Sequence, residues 1–182
     1  MRHVMRLCAV SAVLFLGACA SQIASTRGEI DARVDQALAD LYANVPGSQA
    51  VAQQAAGILI MPRVNKGGFI YAGSYGEGAL LVGGAKVDYF QLVSASVGLQ
   101  AGAQRYKHAL FFMTPEALAE FRTADGWELG LDAEYALPSS QGAATVTTGT
   151  FNKPIYAVIY GQEGIILGAS LEGSKYSRIV RQ

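Results

Sequence analysis

GILIMPRVNKGGFIYAGSYGEGALLVGGAKVDYF, residues 57–90, sets the character of the chain. Short apolar runs, rich in aliphatic and aromatic residues, are separated by glycines at intervals too short for helices. The reading is four strands: Ile58 to Met61, Gly68 to Ala72, Ala79 to Val82 and Ala85 to Phe90. Gly83-Gly84 between the last two is a two-residue hairpin signal, because both central positions of such a turn need positive φ. Arg63 and Lys66 are expected in a short loop with Gly67 and Gly68.

Upstream, the pattern is helical. Thr26 and Glu29 have capping-box spacing, and Ile30, Val34, Leu38, Leu41 and Val45 recur at steps of three or four until Pro46-Gly47. This stripe reads as core packing. The opposite side carries Glu29, Asp31, Asp35 and Asp40 against Arg27 and Arg33, a poor match to an anionic membrane. Ser48 to Ala56 reads as a second, short helix stopped by Gly57.

Downstream, Ser94 to Gln104 and Tyr106 to Met113 are further strands. Thr114-Pro115-Glu116 is a helix start, with a hydroxyl cap, proline in the first turn and an acid beside it, and the helix runs to about Arg122. From Trp127 to Leu137 apolar and polar residues alternate with period two, a strand with one wet face. Pro138 to Gly149 reads as a loop, and Ile155 to Tyr160 and Ile165 to Leu171 as strands joined across Gly161 to Gly164. The architecture that follows is α+β: a mostly antiparallel curled sheet or partly closed barrel, with an N-terminal helix and a short helix near 115–122.

The first twenty residues have a separate logic. Arg2 and Arg6 precede an apolar run from Leu7 to Leu16, too short to span a bilayer but right for a signal core. The run ends in Leu16-Gly17-Ala18-Cys19, which resembles the bacterial lipobox. The resemblance implies cleavage before Cys19 and attachment there of fatty acyl chains such as palmitate. With no aspartate after Cys19, the expected destination is the outer membrane, lipid-anchored and facing the periplasm. The organisation is then a signal peptide over 1–18, a lipidated leash over 19–25 and a single domain over 26–182. Removing 18 of 182 residues leaves 164, enough for one core. Of 14 basic residues two leave with the signal, so 12 face 14 acids, and a nucleic-acid binder is not expected. Cys8 also leaves and Cys19 is consumed, so cysteine nucleophiles, cysteine metal sites and disulfides are excluded; no cofactor or metal is expected.

Ala55 to Pro62, then Lys66-Gly67-Gly68-Phe69, then Tyr75-Gly76-Glu77-Gly78 before Leu80-Leu81-Val82, are similar to the opening signature of the SYLF domain. Ser96 to Gln104, Phe111-Phe112-Met113-Thr114 with Ala117, Leu118 and Phe121, and Gly164 to Gly173 resemble its later segments. The resemblance, over roughly residues 30 to 176, implies a lipid-binding module. Eukaryotic members bind phosphoinositide membranes and some bind actin; bacterial members are secreted proteins or lipoproteins. Tyr89-Phe90 departs from the family where a tryptophan is common, and Leu137-Pro138-Ser139 replaces a glycine-rich turn.

The expected partner is a phospholipid membrane, met by Arg63 and Lys66 and secondarily by Arg105 and Lys107, which lie two apart on one strand face. The competing reading is a structural lipoprotein that presents its surface to an envelope protein partner. Catalysis is not expected, since no base and nucleophile can be paired around the lone mature histidine, His108. Glu128, Asp132 and Glu134 read as a solvated strand face rather than a Ca²⁺ or acid/base site. Gly73, Gly76 and Gly78 read as strand geometry rather than a phosphate cradle, and Tyr71, Tyr75, Tyr89 and Phe90 as core aromatics rather than an acyl groove.

Overall fold

The computed structural model describes residues 25–68, 71–97, 102–128, 133–136, 153–164 and 173–182. Helix α1, Arg27–Asn44, opens with both halves of the expected capping box: Glu29 N–H donates to the Thr26 hydroxyl, and Thr26 N–H to the Glu29 carboxylate. Helix α2, Ser48–Gln54, follows after Gly47 in the left-handed region. Helix α3, Pro115–Thr123, is capped by the Thr114 hydroxyl, which accepts from Ala117 N–H at 3.2 Å. No helix among the described residues is long and apolar enough to cross a membrane.

Among the described residues eight strands form one sheet: β1 Gly57–Gly68, β2 Tyr71–Val82, β3 Ala85–Val97, β4 Gly102–Phe112, β5 Trp127–Glu128, β6 Ala133–Ala136, β7 Ile155–Gly164 and β8 Lys175–Ile179. Their order is β5-β8-β3-β2-β1-β4-β7-β6. All pairings are antiparallel except β6 with β7. Chain connectivity forces the curl. β5 and β6 are the two outer edges, yet only five residue steps separate Glu128 from Ala133, at most about 18 Å. Laid flat, eight strands would hold those edges about 34 Å apart. The alternating segment read as one strand therefore pairs with β8 at its start and β7 at its end, drawing the edges together into a partly closed barrel.

The first strands are longer than their apolar runs. β1 continues through Pro62 because its pairing with both neighbours shifts there: Ile60 faces Ala79 but Arg63 faces Glu77, and Met61 faces His108 but Val64 faces Tyr106. One extra residue is absorbed in a bulge, the setting in which a central strand tolerates proline. Gly78 is required opposite it, since a Cβ there would stand 2.1 Å from the Ile60 carbonyl oxygen. The segment 63–66 is thus strand, not the loop that its charges and glycines suggested. Ser94 to Gln104 is likewise divided between β3 and β4, Ile165 to Leu171 and Pro138 to Gly149 lie outside the described residues, and β8 was not foreseen. Gly83 and Gly84, with φ of 58° and 83°, make the expected hairpin.

The sheet is buried on both faces, which is why several strands read as unbroken apolar runs. The inner face carries Leu59, Met61, Val64, Leu80, Phe90, Leu92, Tyr106, Leu110 and Phe112, closed over by Leu118 and Phe121 of α3. The outer face carries Ile58, Ile60, Ala79, Leu81, Ala109, Phe111, Val158 and Tyr160 under Ile30, Val34, Ala37 and Leu41 of α1. The helix stripe is core packing as expected.

Candidate functional site

The charged side of α1 clamps the helix to the sheet. Asp31 accepts from the Tyr89 hydroxyl at 2.7 Å and Asp35 pairs with Lys86 at 2.5 Å, both on β3, while Asp40 pairs with Lys107 of β4 at 2.5 Å. Between these clamps the helix bridges the bulged part of β1 and leaves a two-lobed cleft. One lobe, of about 350 Å³, lies among Ser25, Arg33, Pro62, Arg63, Tyr75 and Glu77. The other, of about 190 Å³, lies among Arg33, Pro62, Arg63, Arg105, Lys107 and Glu163. Arg33, Pro62 and Arg63 belong to both.

The second lobe is cationic. Arg33, Arg63, Arg105 and Lys107 stand against Asp40 and Glu163, four positive charges to two negative. Lys107 is neutralised by Asp40. Arg105 touches Glu163 only at 3.9 Å and donates to Asn65 at 3.3 Å, both exposed contacts worth little. Arg33 donates to the Ser25 hydroxyl at 3.0 Å. Arg63 is exposed and, among the described residues, has no hydrogen-bond or ion-pair partner. Arg33, Arg63 and Arg105 therefore keep donors for an incoming oxyanion, and guanidinium groups suit a phosphate by their paired N–H geometry.

Glu77 organises the first lobe. Its carboxylate accepts from Ser25 N–H at 3.0 Å, from the Tyr75 hydroxyl at 2.9 Å and from Arg181. Burial alone would raise this carboxyl, but the hydrogen bonds outweigh it and hold it below the ordinary carboxylate range. The segment entering α1 is thus fastened at the lip of the cleft.

Of the residues expected to meet phospholipid, Arg63, Arg105 and Lys107 come together on the outer face; Lys66 does not. Beyond the bulge the side chains of β1 alternate, so Arg63 and Asn65 face outward while Val64 and Lys66 face inward, and Lys66 is only 9% exposed. Arg33 was missed, having been counted among the solvated helix charges. Its signal is its place one residue before buried Val34, at the border of the apolar stripe.

The remaining candidates fall mostly to structural roles. Phe90 packs in the inner core and Tyr89 beneath α1, while Tyr75 lines the cleft; Tyr71's side chain lies outside the described residues. Glu128 is exposed on β5, and Asp132 and the side chain of Glu134 lie outside the described residues. Among the described residues no three His, Cys, Asp or Glu side chains are grouped to hold a metal. His108 is buried in the inner core with Nε2 2.9 Å from the Tyr176 hydroxyl, and burial pulls it down to about 3, so the imidazole is neutral. Cys19 lies outside the described residues.

Residues 93–179, a little under half of the chain, match the Ysc84 family, described as "Las17-binding protein actin regulator". The Ysc84 family is that of the SYLF domain, so the likeness read from the sequence holds over that span; the opening signature at 55–82 lies outside the matched stretch. No curated protein matches the chain.

Proposed function

We propose, for a chain with a SYLF-type carboxy-terminal half, that it is an acyl-anchored lipoprotein of the outer membrane, facing the periplasm, whose domain binds anionic phospholipid in the cleft beneath α1. The observation that carries this reading is the position of Ser25. It lines the cleft and is fastened by Glu77, and it lies only six residue steps from Cys19, a reach of about 20 Å. An acyl anchor at Cys19 would hold Arg33, Arg63 and Arg105 at the bilayer surface. The role is binding rather than catalysis, and the actin named in the family description has no counterpart in that compartment.

Near an anionic surface each of these three arginines contributes about 1 kcal/mol, so the free domain binds weakly, at millimolar levels or above. Anchoring makes that sufficient, because the effective concentration of head groups at the end of a short leash is itself millimolar. The test is flotation of the acyl-free protein with vesicles containing phosphatidylglycerol. Partition should fall steeply between low and physiological salt, and Arg33→Ala with Arg63→Ala together should cost more than about one decade. Equal flotation of the double variant, or indifference to salt, would reject the cleft and favour an envelope protein as the partner. For the anchor, Cys19→Ser should move the protein out of the membrane fraction; retention there at high salt refutes acylation as the tether.

A further inference from the structure

His108 and Tyr176 are both fully buried, and the hydrogen bond between them crosses the barrel. Along the sheet, β3, β2 and β1 separate β8 from β4, so only the curl brings the Tyr176 hydroxyl to within 2.9 Å of His108 Nε2. Apolar side chains of similar shape would hold the barrel closed about as well, since a buried polar pair replaces bonds that both groups make to water. Burial keeps the imidazole neutral, and with its proton on Nδ1 the ring presents Nε2 as an acceptor to the phenol.

Trp127, the one tryptophan of the chain, completes the arrangement. It is half-buried on the edge strand β5, and its ring centroid lies 5.8 Å from that of Tyr176. Indole, phenol and imidazole thus follow one another in contact, the last two edge to face with centroids also 5.8 Å apart. Indole and phenol are the most readily oxidised ring side chains, and a phenol gives up an electron easily only where its proton has an acceptor. Tyr75 and Tyr89 also donate to side chains, Glu77 and Asp31, but among the described residues neither is in ring contact with Trp127.

We propose that Trp127, Tyr176 and His108 form a one-electron relay, in which a small radical oxidant takes an electron from the half-buried indole and the oxidising equivalent comes to rest on the buried phenol. The oxidant leaves as its closed-shell anion. Tyr176 then passes one electron to the indole radical cation, restoring Trp127, and its O–H proton moves along the existing hydrogen bond to His108 Nε2. What remains is a neutral tyrosyl radical beside an imidazolium, both inside the barrel. An electron returned through Trp127 reverses both transfers, so no side chain is consumed. The relay depends on neither Cys19 nor the outer arginines.

Pulse radiolysis of the purified protein in azide solution tests this, because the azide radical oxidises indole in preference to phenol and both product radicals are followed by their absorbance. In wild type the indole signal should decay at a rate independent of protein concentration. The tyrosyl signal should rise at that same rate, and both should slow in heavy water. Tyr176→Phe keeps the ring and removes the electron donor, so the indole radical should persist about tenfold longer or more. His108→Gln keeps an acceptor for the phenol but cannot take its proton, and should slow the transfer by about the same factor. Tyr75→Phe and Tyr89→Phe should behave as wild type does. His108→Gln and the heavy-water rate decide the question even where Tyr176→Phe disturbs the barrel. No indole radical in wild type, a decay that scales with protein concentration, or a decay as fast in Tyr176→Phe or His108→Gln as in wild type would overturn the proposal.

Discussion

The two ends of the barrel interior are built on the same strands and the same concave face, yet they are opposite in chemistry. At one end Phe121 of α3 stands 4.5 Å from Phe90, 4.7 Å from Phe112 and 5.2 Å from Trp127 by ring centroids. At the other, Ser94, Ser74, Lys66 and Gln104 fill the corresponding positions. A helix plugs the first end and completes its packing, so apolar residues are stabilising there. At the second, among the described residues, no carboxylate pairs with Lys66 and the Gln104 Oε1 atom accepts no hydrogen bond, so the polar row adds little to the packing that holds the sheet closed. The contrast separates an end where aromatic packing holds the fold together from one where it does not.

The sharpest way to break this contrast is at the aromatic end. Phe121→Ala removes the side chain on which the plug converges and should cost about 3–5 kcal/mol, read from denaturant midpoints. A cost below about 1 kcal/mol would mean that α3 does not close the core. Between the two ends sits His108. Its folded-state value is about 3, well below the ordinary 6.5, so between those values the unfolded chain binds the extra proton. Stability contributed by keeping it neutral is fully present above pH 6.5 and is lost as pH falls toward 3. At pH 5 the loss should be about 2 kcal/mol relative to pH 7, and His108→Gln should flatten that part of the curve. Equal slopes for the two proteins would place the titration elsewhere.

Smaller effects sharpen the boundary between the ends. Tyr106→Phe deletes the hydroxyl that meets Ser74 and should cost about 1 kcal/mol. Thr26→Ala, remote from the interior, should also cost about 1 kcal/mol through the lost cap of α1. An unchanged denaturant midpoint would mean that the cap adds nothing to the docking of α1.

Helix ends were legible because capping is local: a hydroxyl at Thr26 or Thr114 and an acid three residues on or in the first turn satisfy orphan N–H groups whatever the rest of the chain does. The Gly83-Gly84 hairpin was legible for the same reason. Strand extent was not, because Arg63 to Gly68 carries no apolar alternation strong enough to reveal a strand that resumes after a bulged proline. β8 was missed because Lys175–Ile179 takes its stability from Leu92 and its neighbours across β3, a contact about eighty residues away in sequence.

By itself, then, the sequence determined the helices, the strand-rich character of the centre, the lipobox-like segment and the likeness to the SYLF domain, since each rests on spacing within a few turns or on a contiguous motif. Only the tertiary structure decided which cations act together. The spacing of Arg63 and Lys66 placed both in one patch, but alternation along a strand sends residues three apart to opposite faces. Arg63 therefore joined Arg33 from a helix thirty residues upstream and Arg105 from a neighbouring strand, while Lys66 turned inward to Ser74 and Gln104. Registers and helix docking are set by burying two faces of one sheet at once, a constraint that no local stretch of residues contains.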